Sequence, residues 1–350
     1  MSARSPEALL RELPLFAQLD DTSELYEVLA LATPFSVEAG TVLFRQGDES
    51  DGMYVVADGE IVVTARVPGD TTAVLGKVGP GGILGELALI DRGFRSATAQ
   101  ARVPTTGFFF SEQFFKMLRM AQRVSALKVM QPICRVISQR IRDRVADLAA
   151  AAPGDAAALV QVESDSGPLI ERPVAWAAHQ QRSLDSLAGE HLHVMPFFHR
   201  FDAKEVRELL GHGRLLDLQR GQLLWRRGER PMRSYVVVRG AVRLSVRRGA
   251  FQEPCMVLGP GQLVGTVALV DGGTQPMDCI AREALWVWEA DDEALRTMLS
   301  GTHGLSYKLF DTVVESVIDQ LRRVTRAVAR VAAQGRSARA DAAQTSTSTV

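Results

Sequence analysis

Gly85-Glu86-Leu87-Ala88-Leu89-Ile90-Asp91-Arg92-Gly93-Phe94-Arg95, followed at once by Ser96-Ala97-Thr98, places one carboxylate, one guanidinium and several small residues on a short strand, helix and loop connection. Gly85 stands where a strand must turn sharply, and its missing Cβ permits a positive φ and close approach by a ligand. Residues 86–89 suit a single helical turn, whose unpaired N–H groups and positive dipole end favour an anion. Glu86 would repel an anion, so its sensible role is to accept a hydrogen bond from a neutral hydroxyl beside it. Arg95 presents a planar fork of donors that fits two oxygens of a phosphodiester, and the backbone N–H groups of Ser96 and Ala97 extend that cradle. The stretch therefore predicts a site for a phosphate joined to a sugar. The competing reading is a Gly-rich turn carrying a surface Glu–Arg pair of little energetic weight.

Gly85-Glu86-Leu87-Ala88-Leu89 together with Arg95-Ser96-Ala97-Thr98 resembles the phosphate-binding cassette of the cyclic-nucleotide-binding domain family, F-G-E-[LM]-A-L followed by P-R-[AST]-A-T. Leu84 takes the place of the usual aromatic and Phe94 that of the usual proline; neither change removes a ligand contact. The resemblance implies that Glu86 binds the ribose 2′-OH and Arg95 the phosphate, with Gly85, Leu87, Ala88, Ser96 and Ala97 completing the site. The implied ligand is a cyclic mononucleotide. Ser96 resembles the small hydroxyl of many bacterial cyclic-AMP receptors, which favours cyclic AMP, with cyclic GMP as the alternative.

An internal repeat extends this reading along the chain. Pro14-Leu15-Phe16 recurs as Pro196-Phe197-Phe198, and Phe44-Arg45-Gln46-Gly47-Asp48 as Trp225-Arg226-Arg227-Gly228-Glu229. Tyr54-Val55-Val56-Ala57-Asp58-Gly59 recurs as Tyr235-Val236-Val237-Val238-Arg239-Gly240, and Val78-Gly79-Pro80-Gly81-Gly82 as Leu258-Gly259-Pro260-Gly261-Gln262. Short β-branched runs separated by Gly and Asp, at the spacing of jelly-roll turns, fill each copy. The sequence thus predicts an α+β protein: two tandem β-roll (jelly-roll) domains of the cyclic-nucleotide-binding type, each flanked by helices, and a C-terminal coiled-coil-like helix. The expected boundaries are a first domain at 1–150, a linker at 151–190 partly packed through Trp176, a second domain at 191–301, a helix at 302–334 and a disordered tail at 335–350.

The second copy departs at the chemistry. Gly265-Thr266 stands opposite Gly85-Glu86, and Gln275-Pro276 opposite Arg95-Ser96. Gln brings no charge and Pro276 removes a backbone donor, so this copy is read as a degenerate site kept for packing and partner contact.

Two helical segments could carry a signal. Residues 111–152 read as helical, with Pro132 ending one helix and starting another. Met130, Cys134, Ile137, Ile141 and Leu148 form a stripe there that either packs on its own roll or pairs with a second copy. Phe310, Val314, Val317, Leu321, Val324, Val328 and Val331 alternate spacings of four and three, a heptad seam that predicts a homodimer. A helix packed into its own domain is the rival, because the e and g positions lack complementary charges.

Composition excludes several classes. The 350 residues are 46% hydrophobic and 23% charged with a net charge of −1, which supplies no general drive toward nucleic acid or anionic membrane. Neither a signal peptide nor an apolar run of membrane-spanning length is present, so a cytoplasmic protein without membrane insertion is expected. Cys134, Cys255 and Cys279 are widely spaced and read as inert thiols, and the six histidines show no metal-ligand spacing. No catalytic residue, catalytic cofactor or metal site is assigned, and an enzyme is not expected. A catabolite-activator-like regulator is disfavoured because a linker and second roll occupy the place of a helix-turn-helix, so no direct DNA binding is expected. The remaining class is a cyclic-nucleotide sensor acting through an unidentified protein partner, with a nucleotide-independent scaffold as its alternative.

Overall fold

Strands and turns alternate as the β-branched runs and glycines dictate, and they do so twice. The structure is a computed structural model that describes residues 6–19, 22–67, 71–86, 93–121, 124–151, 181–182, 192–230, 232–249 and 251–347. The chain divides into two units, Met1–Val136 and Ile137–Val350.

The first copy opens with α1 (Pro6–Glu12) and α2 (Thr22–Ala30). The strands β1 (Ala32–Val37), β2 (Val42–Phe44), β3 (Gly52–Asp58), β4 (Ile61–Val67), β5 (Thr71–Val78), β6 (Ile83–Leu84), β7 (Thr98–Ala101) and β8 (Thr105–Ser111) follow. They form two antiparallel sheets, ordered β1-β8-β3-β6 and β2-β7-β4-β5. Val56, Ile61, Leu84, Ala99 and Ala101 fill the space inside, with Val63 and Val78 packed against them. Helices α3 (Glu112–Ala121) and α4 (Val124–Ala150) come next.

After β9 (Gln181–Arg182) the order repeats as α5 (Ala203–Gly211), β10 (Gly213–Leu218), β11 (Leu223–Trp225), β12 (Arg233–Arg239), β13 (Val242–Arg248), β14 (Phe251–Leu258) and β15 (Leu263–Val264). It continues through α6 (Thr266–Asp271), β16 (Asp278–Ala281), β17 (Leu285–Asp291), α7 (Asp292–Leu299) and α8 (Gly304–Thr347). The sheets are β15-β12-β17-β10-β9 and β11-β16-β13-β14.

The copies agree in their irregularities. The register shifts between Val42 and Phe44, Val56 and Asp58, and Val63 and Thr64 reappear between Leu223 and Trp225, Val237 and Arg239, and Leu244 and Ser245. An ion pair between the N-terminal and C-terminal helices is also duplicated: Lys128 Nζ meets Glu24 at 2.8 Å and Lys308 Nζ meets Glu205 at 2.7 Å. Bulges cost ladder hydrogen bonds, so their repetition at matched positions reflects one fold used twice rather than chance similarity.

Three expectations change. Pro132 lies inside α4 rather than at a helix boundary. A proline there forfeits one backbone bond, and the buried neighbours Ile133 and Cys134 hold the helix through it. Six of the seven seam residues of α8 are buried within the single chain and Val328 is half-buried, and the helix packs on β14, α6 and α7. The rival reading is therefore the observed one, and the seam lends no support to a homodimer. Finally, α8 runs on to Thr347, so the tail expected to be disordered from residue 335 is helical as far as that residue. Its Ala, Arg and Gln content favours that outcome. The linker with Trp176 lies outside the described residues, apart from Ala151 and the two residues of β9.

All three cysteines are buried, and burial pushes the thiols of Cys134 and Cys255 up to about 12 and that of Cys279 well above its ordinary value. Folded protein should give no reaction with a thiol reagent at pH 8, and three reactive thiols should appear after denaturation. These groups favour the folded state below the ordinary thiol range near pH 8.5, and their contribution should drain away as pH climbs toward 12. Alkaline denaturation curves check this.

Candidate functional site

The turn between β2 and β3 clasps the cassette arginine, which stands just ahead of β7. Arg95 N–H donates to Asp48 O at 2.8 Å, Gly47 N–H donates to Arg95 O at 2.9 Å, and Ser50 N–H donates to Gly93 O at 3.0 Å. This backbone clasp fixes where the Arg95 side chain departs.

That side chain turns inward and is buried, with 2% of its surface exposed. Its Nη2 donates to Asp51 Oδ1, and among the described residues Nη1 makes a long contact of 3.5 Å with Gly85 O. The guanidinium lies 4.1 Å above the centroid of Phe44 and 5.9 Å from that of Tyr54. An aromatic face attracts a cation through its quadrupole, so these rings form a shelf that sets the fork's plane. Nε is buried with no hydrogen-bond partner. Burial raises the Tyr54 phenol above its ordinary value, and the nearby Asp51 carboxylate adds to the shift.

Gly85 holds φ of +73°, and a Cβ there would fall 2.0 Å from Arg95 Nη1 and 2.9 Å from Gly52 O. Its role is thus both backbone conformation and clearance for the guanidinium. Glu86 follows directly and is buried. Ala97 is buried and Ser96 exposed. Leu87 and Ala88, also expected at the site, lie outside the described residues.

The sequence did not single out Asp51, Phe44 or Tyr54 as site residues. The available signal was the repeated turn itself, since Phe44 and Tyr54 match Trp225 and Tyr235 in the second copy, where the rings stack at 5.7 Å. Because Asp51 is exposed and faces a buried cation, it competes with any incoming anion for Nη2. Asp51→Asn should lower the melting temperature of the free protein and enlarge the rise caused by cyclic nucleotide; paired thermal melts check both.

The second copy keeps the scaffold and loses the charges. Gln275 N–H donates to Glu229 O at 2.8 Å and Gly228 N–H to Gln275 O at 2.9 Å, repeating the clasp of Arg95. Gly265 again takes a positive φ, +95°, ahead of α6. Thr266, in the place of Glu86, is buried; its hydroxyl lies 2.9 Å from Ser316 Oγ and accepts from Gln320 Nε2 at 3.0 Å, both on α8. That hydroxyl is committed to the protein's own helix. Among the described residues no group of three or more His, Cys, Asp or Glu is placed to hold a metal ion, and no helix is long and apolar enough to cross a membrane.

Paired rolls, each with a glycine at positive φ before its cassette, are the frame that the sequence repeat describes. The family model for the cyclic nucleotide-binding domain matches residues 34–122 and 215–302, together about half of the chain. The chain belongs to this family. It is 37% identical over 109 residues to the lysophospholipase nte1 of Aspergillus fumigatus, which covers 31% of this chain and 7% of that protein. It is 35% identical over 98 residues to the cAMP-dependent protein kinase regulatory subunit of Dictyostelium discoideum, covering 26% of this chain and 29% of the subunit. The chain therefore spans only a minor part of the relatives it matches. Among solved structures, the regulatory domain of Toxoplasma gondii PKA with cAMP aligns over 87% of this chain and 93% of that one, at 19% identity and a TM-score of 0.30.

Proposed function

We propose that the first roll binds a cyclic mononucleotide, with cyclic AMP preferred over cyclic GMP, and that the chain is a non-catalytic cytoplasmic sensor acting through a protein partner. Arg95 holds the cyclic phosphate, Glu86 accepts from the ribose 2′-OH, and the backbone at Gly85, Ser96 and Ala97 completes the cradle, to which Leu87 and Ala88 also belong. One observation supports this above the rest. Among the described residues a buried guanidinium keeps Nε without a partner and Nη1 with a long one. An unsatisfied buried donor costs about 1–3 kcal/mol, a cost that an anion at this position removes. The kinase regulatory subunits among the relatives point the same way, as does the small hydroxyl of Ser96.

The test is thermal melting of the whole chain with and without each nucleotide. A ligand that binds only the folded state at a hundred times its dissociation constant stabilises by about 2.7 kcal/mol and raises the midpoint. Cyclic AMP should raise it more than cyclic GMP at equal concentration; no rise with either would overturn the reading. That result would instead favour a scaffold whose rolls serve only as interaction surfaces, for which the Arg95–Asp51 pair already supplies part of the guanidinium's needs.

A further inference from the structure

The two most exposed large apolar side chains among the described residues are Met232, at 75%, and Phe94, at 72%. A single exposed apolar residue is ordinary. These two, however, stand at the same turn in the two copies. Phe94 forms an isolated β-bridge with Glu49, in the turn between β2 and β3, and Met232 lies in the matching turn between β11 and β12. Both turns are held by their own hydrogen bonds. Besides the clasps of Arg95 and Gln275, Arg45 N–H donates to Asp48 Oδ2 at 2.7 Å in the first turn, and Arg227 N–H donates to Asp278 Oδ1 at 2.7 Å in the second. In charge the turns are opposites. Residues 45–51 set the carboxylates of Asp48, Glu49 and Asp51 against Arg45 alone, and residues 226–232 set Arg226, Arg227 and Arg230 against Glu229 alone. All of these charged side chains are exposed, and Glu49, Arg227 and Arg230 make no ion pair among the described residues.

We propose that these turns are the two halves of one interface, through which the acidic turn of the first roll docks on the basic turn of the second roll in another copy of the same chain. Each turn carries what the other lacks. An exposed apolar side chain stands in each beside charges of opposite sign, and a thioether such as that of Met232 makes a favourable contact with an aromatic ring such as that of Phe94. The charges steer encounter and oppose the pairing of like turns, acidic on acidic or basic on basic. The contact is therefore heterologous, first roll to second, and since every chain supplies one of each half, association either closes into a ring or extends. Turns already fixed by hydrogen bonds lose little conformational freedom on docking. The chain as a whole has a net charge of −1, so the opposite signs are local features and not an overall bias. Nothing in this contact requires nucleotide.

The experiment is sedimentation of the full chain, without nucleotide, from about 1 μM to 1 mM, the range of weak association. Wild type should self-associate at about 50 mM salt, with a midpoint concentration at least about five-fold higher at about 500 mM, where exposed charges are screened. Two variants reverse one turn each: Glu49→Lys with Ser50→Lys in the first roll, and Arg227→Glu with Arg230→Glu in the second. Either variant alone should stay monomeric, because both of its turns then carry the same sign. An equimolar mixture of the two should associate again, which a misfolded chain would not do. Phe94→Ser should abolish association at both salt concentrations with the melting temperature unaltered. Association that persists in either reversed variant alone or in Phe94→Ser, or a mixture that stays monomeric, overturns the interface. A wild-type chain that is monomeric throughout overturns it too, and leaves the two turns to a different protein.

Discussion

Replacing Arg95 by alanine should weaken cyclic AMP binding by about 2–4 kcal/mol, the range for truncating one partner of a desolvated charge contact. That is a loss of roughly thirty-fold to nearly a thousand-fold in affinity. The guanidinium is buried, lies over Phe44 and has an unpartnered Nε, so the proposed phosphate contact would be made with little water between the charges. Arg95→Lys should recover only part of the loss, because an ammonium is a point charge without a planar fork. Gln275→Ala, at the matched place in the second roll, should leave affinity unaltered, and wild type should titrate with one nucleotide per chain. Calorimetry reads all four results. Equal affinities for wild type and Arg95→Ala would rule out the phosphate contact.

Gly85→Ala should be nearly as damaging for a different reason. A side chain at φ of +73° pays about 1–3 kcal/mol in backbone strain. Its Cβ, 2.0 Å from Nη1, must also push the guanidinium off its aromatic shelf, so the phosphate contact is lost as well. Gly265→Ala isolates the first effect. There the nearest atoms to a Cβ are Gln275 Nε2 at 3.3 Å and Ser234 Oγ at 3.4 Å, so φ strain dominates. Denaturant titration should show both variants destabilised, the first by more. Comparable stability losses at the two glycines would show that clearance for Arg95 is unimportant.

Much of this is legible in the amino-acid sequence. The repeat of Tyr54-Val55-Val56 as Tyr235-Val236-Val237 carried the two-roll architecture, because alternation and turn residues act locally. Gly85 announced its own conformation, since few other residues tolerate it. Asp51 was illegible because it lies 44 residues from Arg95 and is brought to it only by the β2–β3 turn. The α8 seam shows a different limit. Heptad spacing says that one face of a helix is apolar, but not whether a partner chain or the protein's own β14 covers it. Pro132 misled because tertiary packing outweighed a local rule.

Thr266 has a consequence for how such a duplicated domain ages. Its hydroxyl is tied to Ser316 and Gln320 in a pocket that excludes water. Restoring a glutamate there would strand a charge among groups already satisfied by one another, at a cost of several kcal/mol. Recovering a working second receptor would demand changes at 266, 275 and the facing turn of α8 together. A glutamate introduced at 266 alone therefore meets a barrier that the groups facing it on α8 impose.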